Sequence, residues 1–232
     1  MSEKSIALQQ VNEELIACRR CPRLVEWRER IARQKRRAYL DWEYWGRPVP
    51  GFGEAEARLV IIGLAPGAHG SNRTGRMFTG DASGDFLYPA LYRFGFANQP
   101  QATHREDGLK LQDAYITAVC RCVPPANKPE PEERANCLPY LARELEILRP
   151  AVIVTLGRIA FEQVLRLAGY TPGKLPFHHG AVYRLEGFLA APWLLASYHP
   201  SQQNTRTGRL STEMFDAIWQ TARRLLNENT HA

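Results

Sequence analysis

The chain has 232 residues, which at roughly 150 residues per domain allows one or two domains. It is 44% apolar and 23% charged, with five cysteines and a net charge of +6. That balance excludes a wholly disordered chain, a collagen-like repeat and a disulfide-stapled miniprotein. No run of 18 apolar residues exists to cross a membrane, and the start, Met1-Ser2-Glu3-Lys4, lacks the apolar core of a signal peptide. A soluble, cytoplasmic protein is expected, and there cysteines stay reduced and serve metals or chemistry.

Leu8, Val11, Leu15 and Ile16 recur at helical spacing and predict an amphipathic helix over 5–17. A second helix is expected over 23–37. Residues 19–37 carry nine Arg or Lys against Glu26 and Glu29, a local net charge of +7. Trp27, Tyr39, Trp42, Tyr44 and Trp45 lie in or just beyond it. Such a run suits a polyanion, whose counterions it displaces; a solvated helix face is the plainer alternative. Gly46-Arg-Pro-Val-Pro-Gly-Phe-Gly53 reads as a loop.

Strands and helices then alternate. Leu59–Gly63, Ala114–Val119, Ala151–Leu156 and Trp193–Tyr198 read as buried strands, with Ala181–Leu185 as an extra edge strand. Helices are expected over 83–95, 130–148, from Gly157 onward, and over 211–227. Pro139 is expected to kink or split the second of these. The alternation predicts a parallel sheet flanked by helices, in one domain over 1–232 with the basic helical segment 1–45 packed on it.

In open α/β sheets ligands bind beyond the carboxyl ends of the strands. Three polar loops fall there: Gly63–Asp81, Arg121–Lys128 and His199–Arg209. They are expected to meet at one cleft. Gly70-Ser-Asn-Arg-Thr-Gly75 has P-loop glycine spacing, but Arg76 and Met77 stand where a P-loop needs Lys and Ser or Thr. Five glycines from Gly63 to Gly80 allow close backbone approach to a ligand, or simply a flexible surface loop.

Cys18-x-x-Cys21 has metal-ligand spacing, and Cys122 and Cys137 are separated by fourteen intervening residues. Four thiolates hold a structural zinc or a [4Fe–4S] cluster. A zinc ribbon normally shows two tight pairs, so the spacing leans to iron–sulfur, with reduced buried cysteines as the alternative. Strand geometry does not separate Cys120 from Cys122 as a ligand. His199, at a strand end before Pro200, is the histidine best placed for a cleft, with His69 second. Asp81 precedes a helix and is either its N-cap or a catalytic carboxylate.

Gly63-Leu-Ala-Pro66, Asn72-Arg-Thr-Gly-Arg-Met-Phe-Thr-Gly-Asp81, Pro124-Pro-Ala-Asn-Lys-Pro129 and His199-Pro-Ser201 together resemble the uracil-DNA glycosylase superfamily, and within it family 5, the type B iron–sulfur branch. The likeness runs from Cys18 to about Arg209. It implies an α/β/α sandwich around a four-stranded parallel sheet. It also implies a [4Fe–4S] cluster on Cys18, Cys21, Cys122 and Cys137 that tethers the N-terminal helices, leaving Cys120 to packing.

The implied activity is removal of uracil from DNA, with hypoxanthine and xanthine as further substrates. The resemblance puts His199 against the base, Phe78 on its face, and the backbone at Gly63, Ala65 and Gly67 along its edge. Asp81 and Asn127 are placed at the water. Ser201, Arg206 and Arg209 are expected on DNA phosphates, with residues 202–210 entering the minor groove. Two positions depart from other branches: Ala65 stands where they carry a water-handling acid or amide, and Ala118 where the type A branch carries an Asn. A monomer without membrane or obligate protein partner is expected. The rival reading is a non-catalytic iron–sulfur DNA-binding module.

Overall fold

The computed structural model describes residues 2–171 and 173–228. Met1, Pro172 and residues 229–232, which fall in the expected 1–232 unit, lie outside the described residues. Six strands pair into one sheet: β1 (Phe52–Gly53), β2 (Leu59–Gly63), β3 (Ala114–Ala118), β4 (Val152–Leu156), β5 (Val182–Arg184) and β6 (Trp193–Ser197). Their order is β1-β3-β2-β4-β6-β5. The four central strands are parallel, with Leu59 opposite both Ala114 and Val152, and Val152 opposite Trp193. Every residue of β2, β3 and β4 is buried, which is why these strands read as unbroken apolar runs rather than alternating ones.

Both outer strands run antiparallel to their neighbours. The edge strand expected near 181–185 forms as β5. At the opposite edge the expected loop 46–53 gives its last two residues to β1. A Cβ on Gly53 would stand 2.2 Å from the Ala114 carbonyl oxygen, so only glycine lets the chain lie that close to β3.

The helices are α1 (Glu3–Ile16), α2 (Pro22–Gln34), α3 (Ser71–Thr74), α4 (Ala82–Arg93), α5 (Pro131–Leu148), α6 (Arg158–Leu167), α7 (Gln202–Arg206) and α8 (Thr212–Glu228). Strand alternation divides the core in two. Leu59, Ile61, Ile116 and Val154 pack with Leu87 and Leu91 of α4 and Trp219 of α8. Val60, Ile62, Tyr115 and Ile153 pack with Leu141 and Leu145 of α5 and Phe161 of α6. Helices thus cover both faces, the three-layer arrangement expected. Val11 and Leu15 of α1 pack on Tyr140 of α5.

Pro139 lies inside α5, which is not split. The proline costs about 3 kcal/mol or more in a helix interior. Buried Leu141, Leu145 and Leu148 return about 1.5–3 kcal/mol each, and a capping box between Glu130 and Glu133 fixes the start. The glycine-rich loop is no flexible surface segment either. Residues 71–79 are all buried and include α3.

No described helix is long and apolar enough to cross a membrane. Beneath the sheet, Glu144 is fully buried and accepts hydrogen bonds from Thr117 Oγ1 at 2.7 Å and Tyr115 OH at 3.2 Å. It also pairs with Arg121, whose Nε donates to the Ala118 carbonyl at 2.9 Å.

Candidate active site

Because β2, β3 and β6 point the same way, the segments after them meet. A cleft of about 890 Å³ is lined by Gly63, Ala65, Gly67, Phe78 and Asp81 from the first, by Ala126–Lys128 from the second, and by His199 and Ser201–Gln203 from the third. The expected convergence is therefore present. Its second loop divides its labour: Asn127 faces the cleft, whereas Arg121 and Cys122 turn toward a cavity among the cysteines.

Asp81 holds both roles left open by its sequence position. Oδ1 caps α4, accepting from the Ser83 and Gly84 amides at 3.0 and 3.1 Å. Oδ2 lies against the glycine-rich loop: a Cβ on Gly70 would stand 1.9 Å from it, and one on Gly67 2.8 Å. The glycines thus make room for the protein's own carboxylate. Withdrawal from water raises the Asp81 carboxyl above the usual range, opposed by the two capping amides.

Gly63 does the same for Phe78, whose ring tip would stand 2.7 Å from a Cβ there. Phe78 has φ 52°, a conformation rare for a bulky residue. Its ring centre lies 6.0 Å from that of His199, tilted by 34°.

His199 follows β6, and its carbonyl accepts from Asn204 Nδ2 at 2.9 Å. Burial lowers its imidazole to about 4, so the ring is neutral at physiological pH. Asn127 also sits in the left-handed region, at φ 56°, where asparagine is tolerated. Ser201 lines the cleft rim and caps α7, its hydroxyl accepting from the Asn204 amide at 3.3 Å. Arg206 and Arg209 are exposed, and Arg209 lies 4.8 Å from the Tyr198 ring centre. The segment expected to enter a groove forms the short polar helix α7, and Leu210 is buried.

Sequence reasoning missed Arg73. Its guanidinium, 3% exposed, lies between the Tyr39 and Trp42 rings at 3.9 and 4.0 Å. It donates to the carbonyls of His69 at 2.7 Å and Gly80 at 3.0 Å. The aromatic run after the basic segment was the available signal. The basic segment itself is partly spent on the protein: Arg19 pairs with Glu29, Arg23 with Glu133, and Arg28 is buried.

Cys18, Cys21, Cys122 and Cys137 line one small cavity together with Arg28 and Arg121. Cys120 belongs to the packed core beneath the sheet instead. Arg28 Nη1 donates to Cys122 Sγ at 2.9 Å, and Asn136 Nδ2 to Cys21 Sγ at 3.6 Å. Burial nevertheless pushes the Cys122 thiol up to about 12. Arg28 Nε and Arg121 Nη1 are buried without a hydrogen-bond partner. Among the described residues, no group of three or more His, Cys, Asp or Glu side chains is gathered to hold a metal ion.

A carboxylate and an imidazole withdrawn from water around one concave site are an arrangement that active sites share. The sequence model of the Uracil DNA glycosylase superfamily matches residues 50–223. The chain is 53% identical over 214 residues to a Type-5 uracil-DNA glycosylase of Thermus thermophilus, covering 92% of this chain and 95% of the relative. Identity to the Type-5 uracil-DNA glycosylase of Mycobacterium leprae is 50% over 222 residues, 94% and 96% of the two chains. To that of Pyrobaculum aerophilum it is 47% over 199 residues, 86% and 84%. The chain belongs to the uracil-DNA glycosylase superfamily.

Proposed function

We propose that this chain hydrolyses the N-glycosidic bond of uracil in DNA, with His199 and Asp81 acting on opposite ends of the departing nucleotide. The carrying observation is that these two residues open onto the same cleft. The bond is shielded inside a duplex, so the nucleotide must first leave the stack. Phe78 then stacks on the base, and the backbone at Gly63, Ala65 and Gly67 borders it.

As the C1′–N bond breaks, its electron pair goes to the base and positive charge grows on the sugar. Neutral His199 donates a hydrogen bond to the base oxygen that becomes negative, at no cost of burying a cation. Asp81 Oδ2 faces the cationic sugar and, with Asn127, holds a water. That oxygen bonds to C1′ and its proton passes to the carboxylate, leaving an abasic site. Ser201, Arg206 and Arg209 take flanking phosphates. Ala65 and Ala118 put small side chains at the pocket wall, which supports the wider substrate range of hypoxanthine and xanthine.

The four cysteines and two buried guanidiniums fit a [4Fe–4S] cluster. Cys18, Cys21, Cys122 and Cys137 would hold it, and the unpartnered Arg28 Nε and Arg121 Nη1 would offset its net negative charge. When bound, the cluster would supply a cross-link between the N-terminal helices and the segments 122–137. Arg28 reaches from Cys122 to the Cys18 carbonyl at 3.3 Å, joining the same two segments. None of the five cysteines is in a disulfide, which supports a reducing, cytoplasmic setting, and we read the protein as a monomer.

The test is base release under multiple turnover from duplexes carrying uracil, hypoxanthine or xanthine. Release of uracil is expected. Tight binding with no release from any of them would leave only the DNA-binding module. Purified protein should be brown and Cys137→Ser colourless; a brown, intact Cys137→Ser protein would contradict the ligand set.

A further inference from the structure

A thiol is a weak hydrogen-bonding group and packs as a small hydrophobe. A thiolate withdrawn from water is costly unless it is paired or hydrogen-bonded. The four cysteines around the small cavity meet that second demand one by one. Cys122 Sγ accepts from Arg28 Nη1 at 2.9 Å, and Cys21 Sγ from Asn136 Nδ2 at 3.6 Å, a length the larger sulfur atom allows. The Tyr140 hydroxyl hydrogen-bonds the Cys18 sulfur. Cys137 takes two donors, the Cys120 thiol and the Arg121 amide. Cys120, fully buried and outside the cavity lining, thus serves the set as a donor rather than as a ligand.

Much of this comes from one helix. Cys137 lies on α5, and Asn136 and Tyr140 stand four residues apart on it, neighbours on one face. From there they reach the sulfurs of Cys21 and Cys18 on the N-terminal segment. Those two cysteines are half-buried, whereas Cys122 and Cys137 are buried. The neutral donors therefore stand at the edge that solvent reaches, and the cation Arg28, 2% exposed, stands at the buried end. Groups that hydrogen-bond metal ligands orient them and are typically worth 10–100-fold in metal affinity. Hydrogen bonds to sulfur also help to set the potential of an iron–sulfur centre.

We propose that Tyr140, Asn136, Arg28 and Cys120 are the donor set of the cysteine site, one side chain to each sulfur, and that Tyr140 and Asn136 govern iron retention and reduction potential at its half-buried edge. The proposal rests on the [4Fe–4S] reading and adds to it the residues that tune the group. The test uses the whole protein, purified without air. Tyr140→Phe and Asn136→Leu each delete a donor and little volume. Both should purify brown, then lose visible absorbance to excess EDTA about 10–100-fold faster than wild type. In a mediated electrode titration, their ratio of reduced to oxidised cluster at a fixed potential should fall by about tenfold, the worth of one hydrogen bond and a shift of ~59 mV. The sign follows because a donor favours the more negative state. Cys120→Ser keeps a donor and should match wild type, whereas Cys120→Ala should shift the potential the same way.

An unshifted potential in Tyr140→Phe and Asn136→Leu would overturn the proposal. Fast iron loss at the wild-type potential would also overturn it, since a loosened helix alone does that. Cys120→Ser behaving as Cys120→Ala does would break the rule of one donor to each sulfur. Any of these in a brown wild-type background sinks the donor set alone. Wild-type protein free of iron and sulfide sinks the cluster reading beneath it.

Discussion

Asp81 and Glu144 are two carboxylates withdrawn from water within one molecule, and their surroundings differ in kind. Glu144 has Arg121, Thr117 and Tyr115 around it, with both of its oxygens accepting hydrogen bonds from side chains. Asp81 has two backbone amides on one oxygen and a row of glycines against the other. Satisfied burial holds the fold, whereas half-satisfied burial at a cleft holds a reactive state ready. His199 belongs with Asp81: burial at the cleft withdraws its ring from water.

The comparison breaks first at Glu144. Glu144→Ala strands Arg121 uncompensated, and removing one member of a buried pair costs about 3–5 kcal/mol. Denaturant unfolding checks this, and a loss under about 1 kcal/mol would put Glu144 outside the fold's support. His199→Ala should leave stability nearly intact and lower single-turnover base release by about 10²–10³, the worth of one well-placed donor to a developing anion. Gly70→Ala comes next. Its methyl would drive Asp81 Oδ2 aside, and release should fall by about tenfold with DNA affinity unchanged; an unaffected rate would mean Oδ2 is not where the chemistry happens.

The smallest effect is in pH. The folded His199 value, about 4, lies below the unfolded value of about 6.5. Between these the unfolded chain binds more protons, so stability contributed by His199 is full above about 6.5 and declines as pH falls toward about 4. His199→Gln should flatten that part of the stability curve. Wild-type base release should show no histidine inflection near 6.5, and an inflection there would mean that the ring works as a cation.

The four central strands were legible because a sheet covered on both faces needs unbroken apolar runs. The converging loops were legible because parallel strands point one way. Short elements were not. Nothing in Ser71–Thr74 or Gln202–Arg206 has the length to show a helical period, and β1 owes its pairing to glycine at an edge. The glycines were visible and their partner was not: spacing alone does not say that Gly67 and Gly70 face Asp81. Asp81's two roles looked like alternatives because one sequence position does not reveal that each oxygen has its own neighbour. The basic run overstated the charge left for a partner, since Arg19, Arg23 and Arg28 are committed within the protein.

One paired measurement bears on the whole account: thermal midpoint and single-turnover uracil release of Asp81→Asn beside wild type. Asparagine caps a helix as well as aspartate does and carries no charge to bury. The midpoint should therefore hold or rise while release falls by about 10²–10⁴. A lowered midpoint with release preserved would make Asp81 a structural cap and contradict the account.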